Sequence, residues 1–275
     1  MKVPVSFEFY PPKTDDQRAQ LDRTVQRLAR YRPEYGSCTF GAGGSTQSHT
    51  PATVRHLRTK FGYNIAPHLS CVGGNRDEFK ALLDDYVEMG VDRIITLRGD
   101  IPSGMGNAGE FRQAIDLLRY IREVYGDRFT LHVAAYPEIH PQARNAKHDL
   151  QHFAEKAKAG AHSAITQYFY NADAYFRFVD DVRKLGVDIP IVAGIMPISD
   201  FHKIRQFSAS CGSEIPRWME QRMDAYGEDM EAQRDFATEC VADLCRRLID
   251  GGAPAFHFYT LNLSKPTVRV LDLIR

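Results

Sequence analysis

Glu8 lies in the run Val3-Pro4-Val5-Ser6-Phe7-Glu8-Phe9. In a strand, alternate residues share a face, so Val3, Val5, Phe7 and Phe9 point one way and Ser6 and Glu8 the other. The apolar face must pack, which turns Glu8 into whatever the strand encloses. A carboxylate among aromatic neighbours in a partly dry site has its pKa raised, which suits a general acid. The alternative is a structural salt bridge, with Arg98 as partner. A second carboxylate, Asp100, follows Arg98-Gly99 at the end of another β-type run. Gly99 allows a backbone or a flat ligand to approach closely. Asp100 is either a site group or the head of a solvent-facing Asp-Ile-Pro turn. Thr39, His68, Tyr136, Glu138, His140, Gln167 and Tyr259-Thr260-Leu261-Asn262 lie in or just beyond similar runs.

Three patterns carry other chemistries. Gly41-Ala42-Gly43-Gly44-Ser45 exposes backbone N–H groups before a helix, as a phosphate nest would. Position 46 is Thr, so Gly-x-Gly-x-x-Gly is not matched and a plain flexible loop is the simpler reading. His148 and His152 are spaced i, i+4, but His-Asp-Leu-Gln-His lacks the Glu of His-Glu-x-x-His and reads as a solvated helix face. His68, Asp100 and His140 keep a metal-dependent hydrolase or lyase open as the rival to acid catalysis. No Gly-x-Ser-x-Gly nucleophile elbow occurs.

The elements that must position these groups alternate from end to end. Strand runs are Val3–Phe9, Tyr35–Phe40, Asn64–Cys71, Arg93–Leu97, Phe129–Ala135, Ala164–Phe169, Pro190–Met196 and Ala255–Leu261. They are rich in Val, Ile, Thr, Phe and Tyr, and most end at turn-forming residues. Between them, Asp15–Tyr31, Asp77–Met89 and Phe111–Tyr125 each carry one apolar stripe at helical spacing. Thr14 and Asn75 read as N-caps, and Gly90, Gly126 and Gly186 stand where helices should stop. Phe201–Gly252 is long for one unit and predicts two helices, with Ile215-Pro216-Arg217-Trp218 between them. Eight strands each followed by helix imply parallel pairing, and about 275 residues match a single-domain (β/α)8 TIM barrel spanning 1–275. An open doubly wound sheet would want a glycine-rich turn after its first strand, where Tyr10-Pro11-Pro12-Lys13 stands instead. In a barrel, the polar groups named above converge on the mouth formed by the C-terminal strand ends.

Composition narrows the class. Hydrophobic residues make up 43% and charged residues 25%, as in ordinary globular domains. Thirty-five basic residues balance thirty-five acidic ones, which argues against a nucleic-acid binder. Net neutrality removes long-range steering of an anionic partner but not a local basic site. No apolar run reaches membrane-spanning length and the N-terminus lacks a signal-peptide core, so a cytoplasmic protein is expected. Five scattered cysteines without a Cys-x-x-Cys pair predict free thiols.

Read in order, Ser6-Phe7-Glu8-Phe9-Tyr10-Pro11-Pro12-Lys13, Pro67-His68-Leu69, Leu97-Arg98-Gly99-Asp100, Ala135-Tyr136-Pro137-Glu138 and His140-Pro141 resemble methylenetetrahydrofolate reductases. So do Ala164-Ile165-Thr166-Gln167, Gly194-Ile195-Met196-Pro197-Ile198 and His257-Phe258-Tyr259-Thr260-Leu261-Asn262. The resemblance covers nearly the whole chain. It implies a (β/α)8 barrel holding FAD and a ping-pong reaction in which NADH or NADPH reduces the flavin and 5,10-methylenetetrahydrofolate is then reduced. It places Glu8 as the general acid and Asp100 as a carboxylate beside flavin and pterin. It places Gln167, Phe207 and Tyr259 at the substrate. Thr39, His68, Arg98, Gly99, Asp100, Tyr136, His140, Asp149 and Lys156 fall on FAD positions, with Arg98 and Lys156 suited to a pyrophosphate. It also implies a homotetramer. Where the family usually has Arg after Tyr-Thr-Leu-Asn, this chain has Leu263, with Lys265 two residues on; His152 and Glu155 are departures near the FAD phosphates. With the chain ending at Arg275, the eukaryotic regulatory domain and control by S-adenosylmethionine are not expected.

Overall fold

The computed structural model describes residues 3–40, 49–72, 74–99 and 109–275. Eight parallel strands close into a barrel in the order β1-β2-β3-β4-β5-β6-β7-β8, with β8 paired to β1. The strands are β1 (Val5–Phe9), β2 (Gly36–Cys38), β3 (Ile65–Ser70), β4 (Arg93–Leu97), β5 (Thr130–Ala135), β6 (Ser163–Thr166), β7 (Ile191–Ile195) and β8 (Phe256–Tyr259). The intervening helices are α1 (Asp15–Ala29), α2 (His49–Phe61), α3 (Arg76–Glu88), α4 (Ala114–Tyr125), α5 (Ala146–Lys158) and α6 (Ala172–Lys184). Then come α7 (Phe201–Cys211), α8 (Arg217–Ala225), α9 (Met230–Asp250) and α10 (Ser264–Ile274). This is the TIM barrel that the β-then-α order predicts.

Local chemistry explains the boundaries. Thr14 caps α1 by accepting from the Gln17 N–H, and Asn75 forms a capping box with Glu78 at α3. Gly126 ends α4, while Gly90 and Gly186 follow the C-caps of α3 and α6 with positive φ. The span 201–252 departs from expectation: it holds three helices, not two. Pro216 caps α8, so Arg217 and Trp218 begin that helix rather than separating two others. A turn through Gly227, at φ +54°, then separates α8 from α9, which Asp229 caps.

Strand alternation sorts the core into two layers. Phe7 and Phe9 pack outward against the helices, with Leu21, Val25 and Leu28 of the α1 stripe in the same cluster. Inside the barrel a smaller apolar cluster, Tyr35, Ala66, Ile95, Ile165 and Val192, fills one level. Above it the interior becomes polar. Burying an outward-facing phenylalanine contributes about 1.5–3 kcal/mol, so a one-residue slip of β1 would expose two rings and bury Glu8 among apolar helices. The register that points Glu8 inward is therefore held by Phe7 and Phe9.

Candidate active site

β1 pairs Glu8 with Ser37 on one side and Tyr259 on the other, at the upper end of the barrel. The Glu8 Oε2 atom lies 3.5 Å from His68 Nε2, and the Glu8 side chain is 18% exposed. Burial pushes the carboxyl up to about 8 and pulls the His68 imidazole down to about 3. Near neutral pH the carboxyl keeps its proton and the ring does not take it, so the two meet as neutral groups. The salt bridge to Arg98, the alternative reading of Glu8, is not formed. Arg98 reaches Gln142 and its neighbour's carbonyl instead, because its strand end points it outward over β5.

The end of β8 clasps this strand. Thr260 Oγ1 donates to the Glu8 carbonyl at 2.6 Å. Asn262 accepts from the Tyr10 N–H at 3.1 Å and donates to the Tyr10 carbonyl at 2.9 Å. Leu261 and Asn262 both adopt positive φ, +50° and +53°. Asn tolerates that region; Leu rarely enters it, and the fold holds it there beside the acid. Below Glu8 runs a column of polar groups. His68 Nε2 and His257 Nε2 each lie 3.2 Å from Ser37 Oγ, and His257 Nδ1 lies 2.7 Å from Ser6 Oγ. These contacts fix the ring that faces Glu8. Alternation in β1 already turned Ser6 inward with Glu8; it does the same for Ser37 and His257, which the sequence reading did not single out.

The predicted substrate residues occupy three neighbouring places. Tyr259 donates to the Thr166 carbonyl at 2.6 Å across the barrel. A Cβ at Gly194 would stand 2.1 Å from that carbonyl oxygen and 2.8 Å from the Tyr259 ring, which explains glycine in Gly-Ile-Met-Pro. Gln167 follows β6, and its Oε1 accepts from the Tyr168 N–H at 3.0 Å while Nε2 has no partner among the described residues. Phe207 lies on α7 and is 43% exposed. Thr39 follows β2, donating to the Phe9 carbonyl at 2.9 Å and accepting from Thr50 at 2.9 Å.

Most of the predicted cofactor residues meet elsewhere. A cavity of about 440 Å³ beside the ends of β4 and β5 is lined by Arg98, Gly99, Tyr136, His140, Asp149 and Lys156, with His152. Lys156 is half-buried; desolvation lowers its ammonium to about 8, and it donates to the Ala134 carbonyl at 2.6 Å. Asp149 accepts from the His140 N–H at 2.8 Å, and the Tyr136 and His140 rings stand edge to face at 4.5 Å. Gly99 is at φ +81°, and a Cβ there would lie 1.9 Å from Ser70 Oγ. A half-buried lysine and an arginine in one cavity with aromatic walls suit an anionic, ring-bearing ligand such as a dinucleotide. Thr39 and His68 are not in this lining. Asp100 and the Gly41–Ser45 loop lie outside the described residues.

His68 faces the barrel interior and His140 the β4–β5 cavity. Among the described residues no three His, Cys, Asp or Glu side chains gather as a metal site. His148 is exposed, and its ring meets that of His152 at 4.5 Å. Glu138, noted only as a strand-end carboxylate, is pushed up to about 7 by burial; it accepts from the Glu214 N–H at 2.9 Å. The adjoining Ile139, a β-branched residue, is held at φ +78°.

Against known proteins, the family model for methylenetetrahydrofolate reductase matches residues 1–275. The 5,10-methylenetetrahydrofolate reductase of Escherichia coli K12 is 36% identical over 261 residues, covering 95% of this chain and 87% of that protein. That of Pectobacterium carotovorum is also 36% identical, covering 95% and 86%. The Arabidopsis thaliana methylenetetrahydrofolate reductase (NADH) 1 is 33% identical, and the match spans 97% of this chain and 47% of the plant protein. Among solved structures, an uncharacterized protein from Clostridium thermocellum that binds two copies of 5-methyl-5,6,7,8-tetrahydrofolic acid superposes with a TM-score of 0.69 at 16% identity. It covers 99% of this chain and 94% of its own, a likeness of fold.

Proposed function

The chain belongs to the methylenetetrahydrofolate reductase family, which is flavin-dependent, and on that premise we propose that it reduces 5,10-methylenetetrahydrofolate to 5-methyltetrahydrofolate. The cofactor in this proposal is FAD, the electron donor NADH or NADPH, and the two half-reactions share one site. When bound, FAD accepts a hydride from the nicotinamide and passes a hydride to the folate. The observation that carries the reading is the Glu8 carboxyl: enclosed at the barrel mouth, with a pKa near 8, it still holds a proton at neutral pH.

Glu8 gives that proton to the folate nitrogen that leaves when the five-membered ring opens, and becomes a carboxylate. The product is a cationic iminium, which the new carboxylate charge favours in a site drier than water. The clasp from Thr260 and Asn262 holds the β1 end so that the acid keeps one position. Gln167 offers an unpaired amide N–H₂ to the pterin, and Phe207 and Tyr259 offer ring faces to the substrate. Asp100, outside the described residues, takes its part from the family resemblance alone: a second negative charge acting on the reacting ring. Arg98 and Lys156 hold the FAD pyrophosphate, with Gly99, Tyr136, His140 and Asp149 shaping the rest of that cavity; Thr39 and His68 border the flavin. The protein works in the cytoplasm as a homotetramer, which a light-scattering mass of four 31.2 kDa chains tests.

The test of mechanism is Glu8→Gln. Anaerobic mixing with NADH should still bleach the flavin absorption, while reoxidation by methylenetetrahydrofolate should stop. Normal rates in both half-reactions would remove Glu8 from the chemistry.

A further inference from the structure

We infer that Ser37 is a positioning residue for the acid: it fixes the tautomer of His68 so that this ring offers no N–H to Glu8. The inference rests on the reading of Glu8 as the general acid and goes beyond it to the groups that set its surroundings. Its ground is the column below Glu8. His68 Nε2 lies 3.5 Å from Glu8 Oε2 and 3.2 Å from Ser37 Oγ. Ser37 Oγ lies equally far, 3.2 Å, from His257 Nε2, and His257 Nδ1 lies 2.7 Å from Ser6 Oγ. Ser6, Ser37, His68 and His257 are all buried.

A hydroxyl carries one proton, and a neutral imidazole carries one N–H and one acceptor nitrogen. Burial keeps both rings neutral near neutral pH. Ser37 therefore cannot donate to both rings; it satisfies both only by donating to one and accepting from the other. Ser6 decides the direction. The 2.7 Å spacing to His257 Nδ1 suits a hydroxyl donor and is shorter than the usual reach of a ring N–H, about 2.9–3.0 Å. The Phe256 carbonyl, another acceptor near Ser6 Oγ, is 3.3 Å away, beyond the usual hydroxyl range. Ser6 thus donates to Nδ1, and the His257 proton sits on Nε2. That N–H donates to Ser37, whose own proton goes to His68 Nε2. The His68 proton is left on Nδ1.

The His68 nitrogen nearest Glu8 is then an acceptor already in use. The other titratable groups that interact with the carboxyl, among the described residues, commit their protons elsewhere. Tyr259 of β8 donates to the Thr166 carbonyl at 2.6 Å, and the Cys38 thiol of β2 is directed at the Thr39 carbonyl at 4.0 Å. Burial holds both in their neutral forms. An ionised Glu8 gains no hydrogen bond from any of the three, so the carboxyl keeps its proton until the substrate takes it. With its proton on Nε2 instead, His68 would donate to the carboxylate and favour the spent form of the acid.

Neutron diffraction from crystals of the deuterated holoenzyme at neutral pH reads the tautomer directly: a deuteron on His68 Nδ1 and none on Nε2. Ser37→Ala frees His68 Nε2 to carry the N–H and reach Glu8. One hydrogen bond to a carboxylate should move the alkaline limb of the folate half-reaction, near 8 in the parent, down by about one to two pH units. Flavin reduction by NADH should not change. Ser6→Ala leaves Ser37 and Glu8 in place and releases the other end of the column, so it should move the limb the same way by less. A role in packing alone would leave the limb where it is. Flavin content and melting temperature report whether each variant has folded. A deuteron on His68 Nε2 in the parent, or an unmoved limb in either folded variant, would overturn the inference. Normal half-reactions in Glu8→Gln would instead sink the acid reading, and the deuteron position would still score the part of Ser37.

Discussion

At the mouth end of the barrel interior Glu8 faces His68 at 3.5 Å and opens onto the rim. At the opposite end Tyr35 stacks between His132 and His257, ring centroids 5.3 and 6.0 Å away, with the Arg93 guanidinium 5.1 Å from its ring centre. Both ends hold ionisable groups stripped of water. Burial lifts Glu8 to about 8 and drops His132 to about 3. The lower end even has a cavity of its own, about 300 Å³, onto which Arg93 and His132 face with buried nitrogens that lack partners among the described residues. A shifted pKa in a cavity therefore does not by itself mark an active site. Strand polarity separates the two. Glu8 lies toward the C-terminal ends of the strands, paired with Tyr259 at the end of β8, whereas stacked rings and Pro4, Pro190 and Pro254 border the lower cavity.

The largest effect that tests this division is on chemistry at the upper end. Glu8→Gln should slow folate reduction by about 10²–10⁴-fold, the range for a positioned acid, with the melting temperature kept or raised. Next comes stability at the lower end. Tyr35→Ala removes the stacked ring and should cost about 3–5 kcal/mol, read by denaturant unfolding, with turnover per folded molecule unchanged. Turnover falling in step with that in Glu8→Gln would erase the distinction between the ends.

The two ends should also oppose each other in pH. The folded chain keeps the Glu8 proton between about 4.5 and about 8, where the unfolded chain has lost it, so stability falls as pH rises through that window. At the lower end His132 stays neutral down to about 3, while its unfolded form takes a proton below 6.5, so stability there falls as pH drops through that window. Melting curves of Glu8→Gln should show a shallower fall between about 4.5 and about 8, Glu138 keeping its share of it, and should retain the acid slope. In the parent enzyme the folate half-reaction should decline as pH passes about 8. The smallest expected effect concerns the clasp. Asn262→Ala removes two hydrogen bonds to Tyr10 and should cost about 1–3 kcal/mol, with a drop in folate turnover and little change in flavin reduction by NADH. Equal losses in both half-reactions would mean that the clasp supports the barrel generally rather than the acid.

Much of this was legible one residue at a time. Alternation in Val3–Phe9 put Glu8 inside, and the eight runs named every strand, though Gln167 to Phe169 fell beyond β6 rather than within it. The helix count in 201–252 was missed because Pro216 and Gly227 both interrupt it, and only the first was read as a break. The alternative reading of Glu8, a salt bridge to Arg98, did not form. Arg98 is nearer in chemical logic, but it lies at the end of β4 and is turned toward β5, while His68 on β3 is turned inward. The alternation that turned Ser6 and Glu8 inward would have revealed Ser37 and His257 had it been carried across every strand.

By itself the amino-acid sequence determined the order of elements, the face each strand presents and the residue types available at each strand end, because these depend on local periodicity and turn chemistry. Only the tertiary structure decided which of those ends meet. The closure of β8 onto β1 brings Thr260 and Asn262 to the acid from some 250 positions away, residues of α4 and α5 join the ends of β4 and β5 around one cavity, and four cations from three helices, without partners among the described residues, share one groove. Contacts of that kind depend on how the barrel closes and on what water leaves behind, which no window of sequence contains.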